Sequence, residues 1–556
     1  MRVVPKLLGI IVLALSIAVH GAQADTRVAD AAQAGNAAAV KALLQDGADV
    51  SAAQGDGMTA LHWAAMRGDV ELADMLLGAG ANLKAATRID GTMPLLLAAE
   101  NGHTAVIGSL LAAGADAKAA DRNGTTALML AAAAGKADAL RLLVQHGADV
   151  NARERVMDRT ALMFAAGKDR VAAIEVLAQA GADAGATSKV VDLAQLSQGG
   201  RGRAGGPAQN APQRPQVPGL DRPFIFNELV GSTGGLTPLH FAAREGYVDA
   251  SRALIAAGAN VNQVSDGDKT SALLIAVING HFDLAQVLIE KGANVLLASA
   301  AGVTPVYAAL NVQWAPKSMY PQPRAHLQQR LSYLEMLKVL LDKGADPNAR
   351  IGRKVWYSGY NTDMSGVDEA GATPFWRAAY ASDVQAMRLL VSYGADPHIA
   401  TIRPPGRPRT GDVAAYRDSI EDVSGLPPVP VGGPGVPPLL AAAGAGYGEG
   451  FAANTHHHAP SGFLPAIKYL VEEVGADVNA VDYEGNTAIH NAAAHGDTET
   501  ILYLVSKGAD VTKVNREGKT TADMANGPVQ RVQPFPETLA VLLKLGAKNS
   551  NKCVSC

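Results

Sequence analysis

The chain has 556 residues, 48 Lys and Arg against 52 Asp and Glu, and a formal net charge of −4. That balance argues against a dedicated nucleic-acid binder, which carries a strongly basic domain. With 48% hydrophobic residues and a mean hydropathy of +0.07, wholesale disorder is excluded. The chain holds 4 Trp, 13 Tyr and 9 Phe but 58 Gly, a composition that favours small residues packed between stacked helices over one large core.

Residues 1–24 have the form of a secretory signal. Arg2 and Lys6 flank the start, Leu7 to Val19 is an apolar run, and Ala22-Gln23-Ala24 supplies the small-x-small pattern of a cleavage site. The apolar part is short for a membrane span, and no later segment offers 18 consecutive apolar residues. Cleavage is expected after Ala24, which predicts a secreted or periplasmic protein with no membrane span.

A Gly-Ala-(Asp/Asn) tripeptide begins at Gly47, Gly80, Gly114, Gly147, Gly181, Gly258, Gly292, Gly344, Gly394, Gly475 and Gly508, and Gly546-Ala547-Lys548 is a degenerate twelfth. Successive spacings are 33, 34, 33, 34, 77, 34, 52, 50, 81, 33 and 38 residues, so every departure from the period is an insertion. A second signature recurs within each period: Thr59-Ala60-Leu61-His62-Trp63-Ala64-Ala65, Thr237-Pro238-Leu239-His240-Phe241-Ala242-Ala243 and Thr487-Ala488-Ile489-His490-Asn491-Ala492-Ala493 are the fullest, and Thr304-Pro305 and Thr373-Pro374 open two more. Thr caps a helix and Pro at its first position lacks the donor that would be orphaned. Leu and paired Ala then make a close-packing face. Gly68, Gly102, Gly135, Gly246, Gly280 and Gly496 stop that helix, and a second one runs to the Gly-Ala tripeptide.

This period and the Thr-Pro-Leu-His-x-Ala motif resemble the ankyrin repeat. The resemblance covers most of residues 25–548. It implies an all-α fold, an ankyrin-repeat α-solenoid of about twelve helix-turn-helix units joined by β-hairpin loops. The expected organisation is repeat block 1 over residues 25–184, a Gly/Pro/Arg-rich linker over 185–234, repeat block 2 over 235–548, and a tail at 549–556. His62, His240 and His490 read as hydrogen-bonding parts of each opening turn rather than as ligands or bases. No triad, phosphate loop, dinucleotide fingerprint or zinc spacing is present, so the reading is not an enzyme.

Within block 2, insertions fall at 312–330, 349–371, 401–437 and 448–462. Eleven aromatic residues lie between 305 and 395, interleaved with Arg and Lys. Trp314, Tyr320, Arg353, Trp356, Tyr357, Tyr360 and Trp376 are therefore candidate partner-binding residues, since rings beside cations on loops suit recognition. The alternative, that the rings pin long loops to the solenoid, stays open. His456, His457 and His458 form a triplet that could hold a metal, although three adjacent His converge poorly on one tetrahedral ion.

The only two Cys, Cys553 and Cys556, close the sequence as Cys-Val-Ser-Cys. A local disulfide suits an oxidising compartment. The segment also resembles the start of a c-type haem attachment motif without the His that must follow, so haem is expected only if the chain continues past Cys556; otherwise no cofactor is expected. Three functions emerge: an exported non-enzymatic scaffold binding a protein or peptide partner through its concave face and inserted loops, a component of an exported electron-transfer system, and a carbohydrate or cell-wall binder.

Overall fold

The computed structural model describes residues 25–193, 195, 226–314, 324–353, 367–405, 422–447, 458–527 and 533–550. The signal segment and its cleavage site lie outside them. Among the described residues the regular secondary structure is almost entirely helical, and most of the helices come in pairs. The pairs fall into two compact units, one ending at Asp149 and one beginning at Val150.

In the first unit four pairs run from Arg27–Gln33 with Ala37–Gln45 to Ala127–Ala134 with Ala137–Gln145. First helices pack on first helices and second on second: Ala60–Arg67 lies against Pro94–Glu100, and Val70–Gly78 against Thr104–Ala112. Among the described residues the second unit holds eight pairs, from Ala161–Ala166 with Val171–Gln179 to Thr521–Ala525 with Pro536–Lys544. Neither helix of a pair can bury its apolar side alone, so stacking supplies the core. Leu61, Ala64, Ala65, Leu72 and Leu76 show the result in one repeat, all fully buried.

Within the second unit, the helix pairs on either side of residues 193–226 are direct neighbours. Helix Ala161–Ala166 packs on Pro238–Glu245, Val171–Gln179 packs on Val248–Ala256, and strand Val190–Asp192 pairs antiparallel with Ser232–Gly234. Val312 to Trp314, placed by their sequence in the first insertion, continue helix Pro305–Trp314.

Two kinds of glycine punctuate each repeat, for different reasons. All twelve glycines of the Gly-Ala tripeptides have positive φ, between 78° and 102°, and a Cβ there would meet nothing within 4 Å. Backbone conformation alone selects glycine at these positions. Gly246, which ends a first helix, has φ 79° and also lacks room: a Cβ would lie 2.4 Å from His281 Nδ1 of the next repeat. That imidazole bonds through Nε2 to Arg244 O at 3.1 Å, tying adjacent repeats together. The hairpin tips are linked in the same way, as by Ala300 N–H to Asp268 O at 2.6 Å and Arg516 N–H to Glu484 O at 2.9 Å.

Candidate partner-binding face

Most first helices open on a Thr or Ser, and in four of them the side chain at the third helical position reaches back onto that residue. In the capping boxes of Thr59, Thr237 and Thr487, the backbone N–H of the Thr donates to Nδ1 of His62, His240 and His490, at 3.1 Å in each case. Nδ1 is therefore an acceptor, and Nε2 carries the proton that reaches the following repeat: Thr92 O at 3.0 Å, Thr270 O at 3.0 Å and Lys519 O at 3.3 Å. Both ring nitrogens are engaged within the stack. Burial pushes His240 and His490 down to about 4 and lowers His62 as well. These imidazoles are neutral parts of the framework.

The next residue in the first helices is partly exposed in several of the repeats. In the first unit this position holds Trp63 and Leu130, both half-buried, while Leu97 between them is buried. In the second unit it holds Phe164, Phe241 and Ile275, also half-buried. Arg159 lies over the Phe164 ring at 4.7 Å and Arg244 over Phe241 at 5.3 Å, so each ring is flanked by a guanidinium as well as by apolar neighbours. Arg159 is fixed in turn by Glu154 Oε1 at 2.9 Å. From the next repeat onward the same position is closed: Ala308, Arg377, Ala441, Asn491 and Met524 are all buried. The accessible part of the face thus lies in the repeats before the insertions. Sequence reasoning did not select Trp63, Phe164 or Phe241. The available signal was their recurrence one residue after the motif's third helical position.

The residues that sequence reasoning did select have other roles where they are described. Trp376 is fully buried, donates Nε1–H to Val436 O at 2.8 Å, and stacks on Tyr380 at 5.2 Å. Its ring belongs to the core and presents no binding surface. Trp314 is half-buried and donates Nε1–H to Asp383 Oδ2 at 2.9 Å, edge-on to Tyr333 at 6.0 Å. Tyr333 donates to the same carboxylate oxygen at 2.7 Å, and burial beside that charge raises its hydroxyl well above the ordinary range. For these two Trp, pinning of insertion to solenoid is what the geometry shows. Arg353 is half-buried, its guanidinium facing Gly231, and burial lowers it from its ordinary value. Tyr320, Trp356, Tyr357 and Tyr360 lie outside the described residues.

His458 stacks on Phe463 at 4.4 Å, and Phe463 meets His495 at 4.6 Å. His456, His457, Cys553 and Cys556 lie outside the described residues, among which no group of three or more His, Cys, Asp or Glu is placed to hold a metal ion. No described helix is long and apolar enough to cross a membrane.

Family profiles for ankyrin repeats match residues 28–121, 95–188 and 222–299 in the three-copy form, 456–505 in the many-copy form, and 370–402 as a single repeat. The chain is built of ankyrin repeats. Among curated proteins it is 38% identical over 71 residues to protein phosphatase 1 regulatory subunit 12A of Mus musculus, 13% of this chain and 7% of that protein. It is 42% identical over 67 residues to ankyrin repeat and SAM domain-containing protein 6 of Rattus norvegicus, 12% of this chain and 8% of that one. It is 32% identical over 122 residues to ankyrin repeat and KH domain-containing protein mask-1 of Caenorhabditis elegans, 22% of this chain and 4% of that one. The likeness spans less than a tenth of each of these relatives, so it carries the repeat and not their other domains.

Proposed function

We propose that this ankyrin-repeat chain is an exported, non-enzymatic scaffold that holds a protein or peptide partner against the open face of its first helices. The observation that carries the reading is the half-exposed row of Trp63 and Leu130 in the first unit and of Phe164, Phe241 and Ile275 in the second. Large rings on a rigid framework bury much area at little entropic cost on binding, which makes them the anchors of recognition surfaces. Arg159 and Arg244 beside Phe164 and Phe241 suit a segment that combines apolar side chains with carboxylates. Export rests on the signal-like pattern of residues 1–24, and the non-enzymatic reading on the ankyrin repeats matched over most of the chain.

A photo-crosslinking residue placed at Phe241 tests this in the native exported fraction. It should capture a discrete partner, and Phe164→Ala in the same chain should reduce the yield. The control site is Arg252, exposed on the second helix Val248–Ala256. Equal capture from both positions would refute the assignment of the face.

A further inference from the structure

Along the second unit, the loops that carry the Gly-Ala tripeptides are tied to one another at every other joint. Asn151 donates Nδ2–H to Gly181 O at 3.2 Å and accepts the Asp183 N–H at 2.9 Å. Asn262 makes the same pair of bonds to Gly292 and Asn294, Asn348 to Gly394 and Asp396, and Asn479 to Gly508 and Asp510, all between 2.7 and 3.1 Å. Each of these Asn stands four residues after the first Gly of its own tripeptide. At the four intervening loops that position holds Gly185, Leu296, His398 and Thr512. Gly185 and Leu296 have no polar side-chain atom, and the Thr512 hydroxyl turns back onto Asp510 of its own loop. Among the described residues, none of the four side chains bonds to the next tripeptide.

Three of the unclamped joints carry a substitute near the same edge. Gln263 Nε2–H donates to Gly185 O at 3.0 Å, Arg388 pairs with Glu473 beside the Gly475 loop, and the Thr521 hydroxyl donates to Val511 O at 2.6 Å. Among the described residues the Leu296 joint has no such hydrogen bond along its loop edge. Its turn is nevertheless the one that Asn262 occupies: Leu296 N–H donates to Asn294 Oδ1 at 2.9 Å, as Asn262 N–H donates to Asn260 Oδ1 at 3.0 Å. The Leu296 side chain is exposed. Away from the loops this joint is held. At the hairpin tips Gly352 N–H donates to Ala301 O at 2.7 Å. At the start of helix Phe282–Glu290, Asp283 accepts the N–H groups of Arg330 and Leu331 at 3.1 and 3.3 Å. The joint also falls at a boundary, between the repeat of half-exposed Ile275 and the repeat of buried Ala308.

We propose that the Leu296 joint is a hinge: its loop edge opens while the hairpin tips stay joined, and the repeats from Pro305 onward move against those before it. Stacked repeats contact only their neighbours, so the joint with the fewest ties decides where such a stack bends. Two hydrogen bonds of ordinary net strength change an opening equilibrium by about tenfold or more. The hinge follows from the loop bonds alone and does not depend on the partner-binding face.

Hydrogen exchange resolved to single amides, on the full chain, tests the opening. Ala293 N–H donates to Leu288 O at 2.9 Å and Ala345 N–H to Leu340 O at 3.1 Å, so both close their helices by the same bond and differ in the clamp beside them. Ala345 should exchange about tenfold faster than Ala293 or more. Leu296→Asn installs the missing clamp in a turn that already exists, and it should slow Ala345 about tenfold while leaving Ala509 unchanged. Asn262→Leu should speed Ala293 by a similar factor. Motion is read from spin labels at Arg252 and Lys343, both exposed, with Cys553 and Cys556 replaced by Ser; their distance distribution should narrow in Leu296→Asn. Equal exchange at Ala293 and Ala345 overturns the proposal, as does an Ala345 rate unchanged by Leu296→Asn. A distance distribution of unchanged width overturns it too, since fraying of the loop alone would leave the repeats where they are.

Discussion

Acid should loosen this protein first around His240. The imidazole is buried, accepts the Thr237 N–H at Nδ1 and donates from Nε2 to Thr270 O. Protonating Nδ1 would set one donor against another inside the stack. Burial holds the group at about 4, against 6.5 ordinarily. The unfolded chain therefore takes up a proton from pH 6.5 downward while the folded chain resists until about 4, and stability is lost across that window. At about 1.4 kcal/mol per unit, the loss attributable to His240 is about 3 kcal/mol. His490 contributes a similar term, but its repeat also contains Asp482, which burial and the nearby Glu484 push up to about 7. A raised carboxyl works in the opposite sense, stabilising at low pH and losing that stability as pH rises through 7, so it offsets His490 locally. Hydrogen exchange at pH 7.5 and 4.5 should accordingly show the helices Pro238–Glu245 and Ala272–Ile278 losing protection most. His240→Gln keeps an acceptor for the cap and removes the titration. It should cost about 1 kcal/mol at pH 7.5 and flatten the slope toward acid. An unchanged pH slope in His240→Gln would refute the reasoning.

Two further substitutions test the packing. Gly246→Ala must hold a left-handed alanine and push aside His281, whereas Gly258→Ala, at φ 93°, faces open space; urea denaturation should show the first costing about 2 kcal/mol more than the second. Trp376→Phe leaves the buried Val436 carbonyl with only the Thr401 N–H, at 3.2 Å, and should cost about 0.5–1.5 kcal/mol for the lost hydrogen bond, while crosslinking from position 241 stays unchanged. A loss of crosslinking at full stability would return Trp376 to the binding surface.

Much of the architecture was legible because the repeat encodes itself locally. Thr or Ser before the helix, Pro at its first position and glycine at its end act within a few residues of themselves, and His62, His240 and His490 were readable as framework for that reason. The candidate face was less legible. Aromatic enrichment drew attention to 305–395, where Trp314 and Trp376 proved to be engaged internally, and away from Phe164 and Phe241, single rings in otherwise ordinary repeats.

Sequence alone determined the period, the twelve helix pairs and the sites where the period is interrupted, since each depends on side chains close along the chain. Only the tertiary structure decided which surfaces remain open. Trp314 meets Asp383 across 69 residues and Trp376 meets Val436 across 60; where an insertion returns to the stack is set by the neighbours it finds there. The position that is half-exposed at Phe164, Phe241 and Ile275 is buried from Ala308 to Met524.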